Sequence, residues 1–510
     1  MSGRLPAHRF VLPLAVFVLL ATDVPARAVL RERITTTSVT LPAALEPATS
    51  SFHLWTMHTL GPRLYPAPRA DGRTLVGWTD ASMNGHVSVI ASSLERTFDF
   101  PAEPVRGLVA HDDGTFAVLL WNRNGTTTYT DDFTRLSKRR ADGTQLWTAK
   151  VTAADVPNPA EFMIGDCRLA YANGVYGAYL SVHSTAGHEG DHYQRVSDGG
   201  ALLSGGWTWG LSHSMSCVIA PHPEDGSLHT TGSSDCYGAK ALLFDKNTTL
   251  FAADADCAGK VSVQLGQMAA GPGRSWLIAM DAIDRPGFPA RGVAVVRIRP
   301  GGTPKLTWLT NTDGANERDP VIARIGTSIG SNRYLVGWRS LADGKARVAV
   351  IDTNATVLAG VEVLDGVTWG ARDDSYRTRT DGSVVWVEAA AGARTLHLNR
   401  YSESPNVAVE PDASSAPTAP LVMLAPSPNP ARGAVLLRLG LARPAWIVVR
   451  ILDGSGRHVR DLADGPAAAG INALPWDGRD DAGRAVPPGV YFAAATSGSS
   501  RATTRVLVVR

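Results

Sequence analysis

Through the middle of the chain the apolar positions come in short runs. Each is launched by a glycine-bearing polar turn, and several close on tryptophan. Asp71-Gly72 leads into Leu75-Val76-Gly77-Trp78, and Asp113-Gly114 into Phe116 to Trp121. Asn173-Gly174 leads into Val175 to Leu180, Asp225-Gly226 into Ser227 to Thr231, and Gly273 into Trp276 to Met280. Gly330 then leads into Leu335-Val336-Gly337-Trp338, and Asp381-Gly382 into Val384 to Val387. Short apolar runs bounded by Gly and Asp read as strands, and little here holds a helical period. Successive glycines of the series are 42, 60, 52, 47, 57 and 52 residues apart. A four-stranded propeller blade takes ~40–50 residues. Further apolar runs, Val293 to Ile298 and Arg347 to Ile351, fall where third strands belong. One such sheet cannot bury both faces alone. A closed ring of them can, and it leaves only short edges. The pattern predicts a seven-bladed β-propeller over residues 29–405, with tryptophans filling the gaps between blades.

The pattern changes near the C-terminus. Residues 406–426 are rich in proline and serine and carry no period, which predicts an extended linker. Residues 427–510 contain no Lys and no Glu, and eleven Arg stand against six Asp. Strand candidates there are Ala434 to Leu441, Trp446 to Leu452, His458 to Leu462, Gly470 to Leu474, Val490 to Ala495 and Thr504 to Val509. Turns are expected at Asp453-Gly454, Asp464-Gly465, Asp477-Gly478 and Pro487-Pro488-Gly489. This spacing suits a small β-sandwich.

Four motifs in this last stretch carry a family resemblance. They are Pro428-Asn429-Pro430, Ile451-Leu452-Asp453 with Gly456 to Arg460, Trp476-Asp477-Gly478-Arg479-Asp480, and Gly489-Val490-Tyr491-Phe492. In this order they resemble the Ig-like domain of flagellar hook-capping proteins. They are also similar to the related C-terminal sorting domains of type IX secretion cargo. The resemblance implies an Ig-like fold and makes secretion machinery the expected partner of this domain. The ending Arg505 to Arg510 suits a sorting tail, with Arg where such tails often carry Lys. The whole chain is thus expected to be all-β, a propeller followed by an Ig-like β-sandwich.

The N-terminus points to export. Arg4, His8 and Arg9 form a positive segment, Phe10 to Ala21 is apolar but too short to span a bilayer, and Ala26-Arg27-Ala28 offers a cleavage site. Residues 1–28 read as a signal peptide. The mature chain is expected outside the cell or on its surface. A net charge of +2, from 49 basic and 47 acidic residues, gives no electrostatic case for nucleic acid. No later apolar run reaches the length of a membrane helix. Cys167, Cys217, Cys236 and Cys257 are the only cysteines. An even count in an exported chain favours disulfides, and four cysteines allow three pairings. Cys167 and Cys217 hold similar places before their blade turns, which suggests a Cys167–Cys217 bridge with Cys236–Cys257 as the second.

Candidate chemistry concentrates in the middle blades. Six of the thirteen histidines lie between His183 and His229. His188-Glu189-Gly190-Asp191-His192 matches H-E-x-x-H, in which two histidines hold zinc and the glutamate activates water, provided the segment is helical. Gly187 and Gly190 oppose a helix, and the flanks read as strands and turns. His188, His192 and His213 remain metal-ligand candidates and Glu189 a catalytic candidate. They would gather with Asp191 at one mouth of the channel and bind metal or a polar ligand such as sugar. Thr312 to Glu317 is an acidic loop with the look of a calcium turn, too short for an EF-hand. No motif demands a cofactor, and zinc or calcium are the ions these donors suit. Trp207 and Trp209 share a strand face and would pack between blades or stack on a sugar. The expected role is recognition of a glycan or protein ligand, with a metal-dependent hydrolase or lyase around His188 to His213 as the rival.

Overall fold

The computed structural model describes residues 30–47, 63–122, 133–151, 163–183, 189–212, 214–234, 240–253, 263–282, 290–310, 316–367, 375–403, 421–423, 426, 429–431, 433–441, 445–467, 470–498 and 500–509. Residues 1–28, expected from the sequence to be a signal peptide, lie outside them. The chain divides into two compact units, 1–406 and 407–510.

In the first unit the described residues form seven four-stranded antiparallel sheets. Their inner strands are Tyr65–Pro68, Val105–Ala110, Met163–Ala172, Ser214–Pro221, Val263–Gly271, Glu317–Arg324 and Arg377–Thr378 for blades 1 to 7. Each inner strand touches the next, and blade 7 returns to blade 1, so the ring is closed. The seven glycine turns all fall in the hairpin between inner and second strands. The second strands are Thr74–Thr79, Phe116–Asn122, Val175–His183, Leu228–Ser234, Ser275–Ala282, Tyr334–Ser340 and Val384–Glu388.

The ring closes through the chain's first strand. Ile34–Thr40 pairs antiparallel with Thr395–Tyr401, from Ile34 against Tyr401 to Thr40 against Thr395, and becomes the outermost strand of blade 7. One blade is therefore built from both ends of the propeller. The single 3-10 turn before this strand, Leu30–Arg33, is capped by Glu362 of blade 6. The Glu362 carboxylate accepts from the amides of Leu30 at 2.6 Å and Arg31 at 3.0 Å.

Tryptophans fill the layers between blades, as their recurrence implied. Trp78 packs on Val385 and Val387 of blade 7, Trp386 on Val348 and Val350 of blade 6, and Trp338 on Leu277 and Val293 of blade 5. Trp276 packs on Leu242 and Phe244 of blade 4. Full burial of one such ring removes apolar surface worth ~3 kcal/mol from water, so these layers carry much of the ring's cohesion.

The second unit is a sandwich. One sheet is Leu421–Met423, Val435–Leu441 and Gly470–Trp476; the other is His458–Ala467, Ala445–Asp453, Gly489–Ser497 and Ser500–Val508, each in that order. Leu437, Ile451, Trp476 and Val506 meet in its core. Two expectations need correction here. Leu421–Met423, inside the stretch read as linker 406–426, is an edge strand, because Leu421 is buried and pairs with Leu441. Asp464-Gly465, read as a turn, continues a strand opposite Ile447 and Val448. Among the described residues no helix is long and apolar enough to cross a membrane.

Candidate functional site: the central channel

Inner strands are hydrogen-bonded on one side only. Their other edges, outside the strand ladders, face the channel, where side chains such as Gln267, Tyr334 and Thr378 bond some of their backbone groups. All seven inner strands run the same way, so the channel has an upper end where they begin and a lower end where they finish.

At the lower end the hairpin turns are tied blade to blade. The Ala70 amide donates to Asp112 Oδ1 at 3.0 Å, and His111 Nε2 lies 2.6 Å from the Tyr176 hydroxyl. Asn173 Nδ2 donates to the Asp225 carbonyl at 3.1 Å, and the Gly273 amide to Glu224 Oε1 at 2.9 Å. The Tyr334 hydroxyl donates to the Ala270 carbonyl at 3.4 Å, the Gly326 amide to the Gly382 carbonyl at 2.8 Å, and Arg379 Nη1 to Thr74 Oγ1 at 3.0 Å. These bonds complete a circuit of the ring. They also explain the turn glycines. Gly226 has φ +65°, and a Cβ there would come within 1.8 Å of the Asn173 amide.

Within the circuit, His111, Tyr176, Asp198 and Lys138 form one polar knot. The Tyr176 hydroxyl donates to Asp198 Oδ1 at 3.3 Å, and Lys138 Nζ donates to the same oxygen at 2.6 Å. Burial, then the nearby Lys138 charge, holds His111 below its ordinary pKa. Burial, then the Asp198 charge, pushes the Tyr176 phenol up. The knot fixes neutral His111 against a protonated phenol, an arrangement that binds two blades.

Just inside the lower mouth the channel widens into a cavity of about 400 Å³. Its walls are polar and apolar in nearly equal measure, with Pro66, Leu108, Ile219 and Ile322 among the apolar side chains, and the charged side chains among its described lining residues are Arg324 and Arg377. Gln267 of blade 5 reaches blade 7. Its side-chain amide donates to the Tyr376 carbonyl and accepts from the Tyr376 amide, the latter at 3.0 Å. Gln267 owes that reach to a bulge between Leu265 and Met268, since bulges re-aim side chains. Comparable irregularities occur at Val105/Gly107, Ile164/Cys167, Ser214/Ser216 and Arg318/Val321.

The upper end holds buried charge. Arg106, in the blade 2 bulge, is 1 % exposed. Its Nη1 donates to the Val105 carbonyl at 3.0 Å, its guanidinium lies 4.9 Å from the Trp121 ring centre, and its Nε has no partner. Burial, and secondly the Arg63 charge, lowers its pKa. Arg168 repeats the motif on blade 3, donating to the Cys167 carbonyl at 3.1 Å. Gly107 brings the two strands together, because a Cβ there would stand 2.8 Å from Leu169 Cβ. Glu46 and Glu317 are buried too, each with one carboxylate oxygen lacking a partner. No pattern in the sequence marks Arg106 or Arg324. Both are single arginines in apolar strands, and only the ring shows what surrounds them.

The histidine-rich segment fares differently. His188 and His213 lie outside the described residues. Glu189–Ser197 is a strand paired along Val175–His183, so the backbone of the H-E-x-x-H pattern from Glu189 onward is extended, not helical. His192 is buried, with Nε2 3.2 Å from the Val151 carbonyl, and Asp191 receives the Tyr179 hydroxyl. Among the described residues no group of three His, Cys, Asp or Glu side chains could hold a metal. His222 and His229 are structural: His222 Nε2 lies 3.1 Å from the Gly271 carbonyl, and His229 Nδ1 lies 2.7 Å from Asp245. Trp207 packs on Tyr193 and Tyr179. Most of the acidic loop from Thr312 lies outside the described residues, and Glu317 at its end accepts from Trp338 Nε1 at 3.2 Å.

The proposed Cys167–Cys217 bridge is not formed. Cys167 packs with Leu119 and Trp121 between blades 2 and 3, whereas Cys217 packs with Tyr179 and Ile219 between blades 3 and 4. Equivalent strand positions thus face different layers. Cys236 and Cys257 lie outside the described residues. One further pattern, Gly326-Thr327-Ser328-Ile329-Gly330, formally matches G-x-S-x-G. It occupies a hairpin turn leading into a strand, where Ser328 Oγ accepts from the Gly330 amide at 3.1 Å, so it lacks the strand-to-helix turn of a nucleophile elbow.

Residues 431–501 match the FlgD Ig-like domain family, in agreement with the motifs read from Pro428 to Phe492. No curated protein matches the chain. Among solved structures, an α-L-arabinanase of Penicillium chrysogenum complexed with arabinobiose is similar at 10% identity and TM-score 0.39, covering 71% of this chain and 98% of that one. The GH93 α-L-arabinofuranosidase of Fusarium graminearum is similar at 11% identity and TM-score 0.40, with the same coverage. PorZ, a surface component of the type IX secretion system of Porphyromonas gingivalis, is similar at 12% identity and TM-score 0.19, covering 89% of this chain and 71% of that one. Likeness at this level carries nothing about activity.

Proposed function

We propose that the protein is an exported recognition protein. The propeller is the binding platform, and the C-terminal Ig-like domain serves sorting or surface attachment. The observation that carries this reading is the channel cavity. Its walls mix apolar side chains with polar surface, and its described lining residues include Arg, Gln, Thr and Tyr side chains. Such a pocket has the size and mixture of surfaces that hold a small ligand. The signal-like segment 1–28 and the sorting-domain motifs after residue 427 support export.

The test is binding by the full mature chain to arrays of glycans and peptides, beside a broad hydrolysis screen and elemental analysis. Saturable binding without turnover supports recognition. Stoichiometric zinc that disappears in a His188→Ala variant, together with hydrolysis, would replace this reading by the hydrolase with Glu189 as its base.

A further inference from the structure

The cavity at the lower end of the channel has a definite electrostatic character. Arg324 lines it from the end of the blade 6 inner strand, with its Nε buried and without a partner. Among the described residues no carboxylate pairs with it. The neighbouring acids are committed elsewhere. Asp112 takes the Ala70 amide, and Asp71 pairs with Arg69 at 2.8 Å. Glu224 takes two amides of the blade 5 turn, and Asp381 pairs with Arg400 at 3.0 Å. Arg377 lines the same space from the adjacent strand, whose Thr378 Oγ1 donates to the Arg324 carbonyl at 2.7 Å. Arg324 and Arg377, on neighbouring strands, therefore both line a cavity with no acidic side chain among its described lining residues, and Arg377 Nη1 also donates to the Tyr376 carbonyl at 3.2 Å.

We propose that this cavity binds a small organic molecule bearing a carboxylate, with Arg324 as the group that receives it and Arg377 as the second cation. A guanidinium offers a planar fork that matches a carboxylate with two parallel hydrogen bonds. The apolar and polar parts of the wall take the rest of the molecule. The Gln267–Tyr376 bridge passes between blades 5 and 7 beside it. A volume of about 400 Å³ suits a ligand of one or two sugar rings.

This inference rests on the recognition reading and narrows it. The test is isothermal titration of the full mature chain with D-galacturonate, N-acetylneuraminate and citrate, beside D-galactose, which replaces the carboxylate of galacturonate by a neutral group. Wild type should bind at least one of the acids and not galactose. Arg324→Gln should weaken that binding about ten-fold or more while melting like wild type. Added salt should weaken it further. Arg377→Gln, whose cation is secondary, should cost less. Failure of all three acids to bind, or binding that Arg324→Gln leaves unchanged, overturns the proposal. Galactose binding as tightly as galacturonate also overturns the acidic assignment, yet it leaves the recognition reading standing. An inert array in the earlier test would instead remove the recognition reading itself.

Discussion

The two ends of the propeller treat charge in opposite ways. At the lower end, each acid of the hairpin turns accepts an amide or meets a cation, and the turns clasp one another around the ring. At the upper end, Arg106, Glu46 and Glu317 are each almost fully buried, and each keeps a polar atom without a partner. Burying a charge is costly unless it is paired and hydrogen-bonded. The lower-end turns therefore secure the ring, while at the upper end Arg106, Glu46 and Glu317 carry a burial cost that their hydrogen bonds only partly offset. Substitutions should reveal this as a difference in sign. Losses at the lower end and at the closure should destabilise. Removing the Arg106 charge at the upper end should not.

The largest effect is expected at the closure. Val39 is buried in the layer that holds Trp78 and Leu396, and its strand is the ladder that joins the start of the propeller to its last blade. Val39→Pro removes an amide from that ladder and a side chain from the layer. It should cost on the order of 3 kcal/mol or more. Thermal melting and limited proteolysis of the full chain would check it. A melt within error of wild type would mean that the ring does not depend on this strand.

Next comes the knot between blades 2 and 3. Tyr176→Phe keeps the ring but deletes the hydroxyl shared by His111 and Asp198. It should lower stability by about 1 kcal/mol, since two partly buried polar groups lose a partner. The same knot sets a pH dependence. His111 has a folded pKa below its ordinary 6.5, so the folded state holds the neutral ring. The unfolded chain binds the extra proton, and stability falls as pH drops below about 6.5 toward the folded value. The carboxylates Asp198 and Glu103 are also held low, by Lys138 and Arg135, against the opposing effect of burial. Their contribution is lost only at more acid pH, as pH falls through their depressed values. Urea titrations between pH 7 and 5 should therefore show a slope that His111→Gln flattens. An unchanged slope would assign the dependence elsewhere.

Much of the architecture was legible because it is repeated. Gly72, Gly114, Gly174, Gly226, Gly273 and Gly382 all carry positive φ in the same hairpin of their blades. Apolar second strands follow because those strands are buried on both faces, as the unbroken burial of Thr74–Thr79 and Ser275–Ala282 shows. The closure was not legible. Ile34–Thr40 is threonine-rich and half exposed as an outermost strand, and its partner lies at the far end of the propeller. The edge strand Leu421–Met423 was hidden in the same way by the prolines around it. The Cys167–Cys217 pairing fails because equivalent strand positions do not bring side chains into mutual contact. In a radial stack, equivalent side chains face successive layers instead. The cavity was illegible for a related reason. Arg324 and Arg377 are more than fifty residues apart, and nothing local distinguishes either from an arginine that reaches solvent.

The smallest effect is the most discriminating. Arg106→Met removes the guanidinium but keeps a long flexible side chain over Trp121, where a thioether also packs well on an aromatic ring. The change forfeits a cation–π contact and one bond to the Val105 carbonyl. It also removes a charge that burial and Arg63 both disfavour. Exchanging buried ionic groups for apolar ones of similar volume is often neutral or stabilising. The expected shift in melting temperature is therefore near zero or upward, whereas Tyr176→Phe at the other end shifts it down. A fall with Arg106→Met as large as that from Tyr176→Phe would erase the distinction between the ends. Arg106 would then be a structural tie like those of the turns. A rise would mean that the arginine is kept at a cost to the fold, and the upper end would become the next place to look for a bound anion.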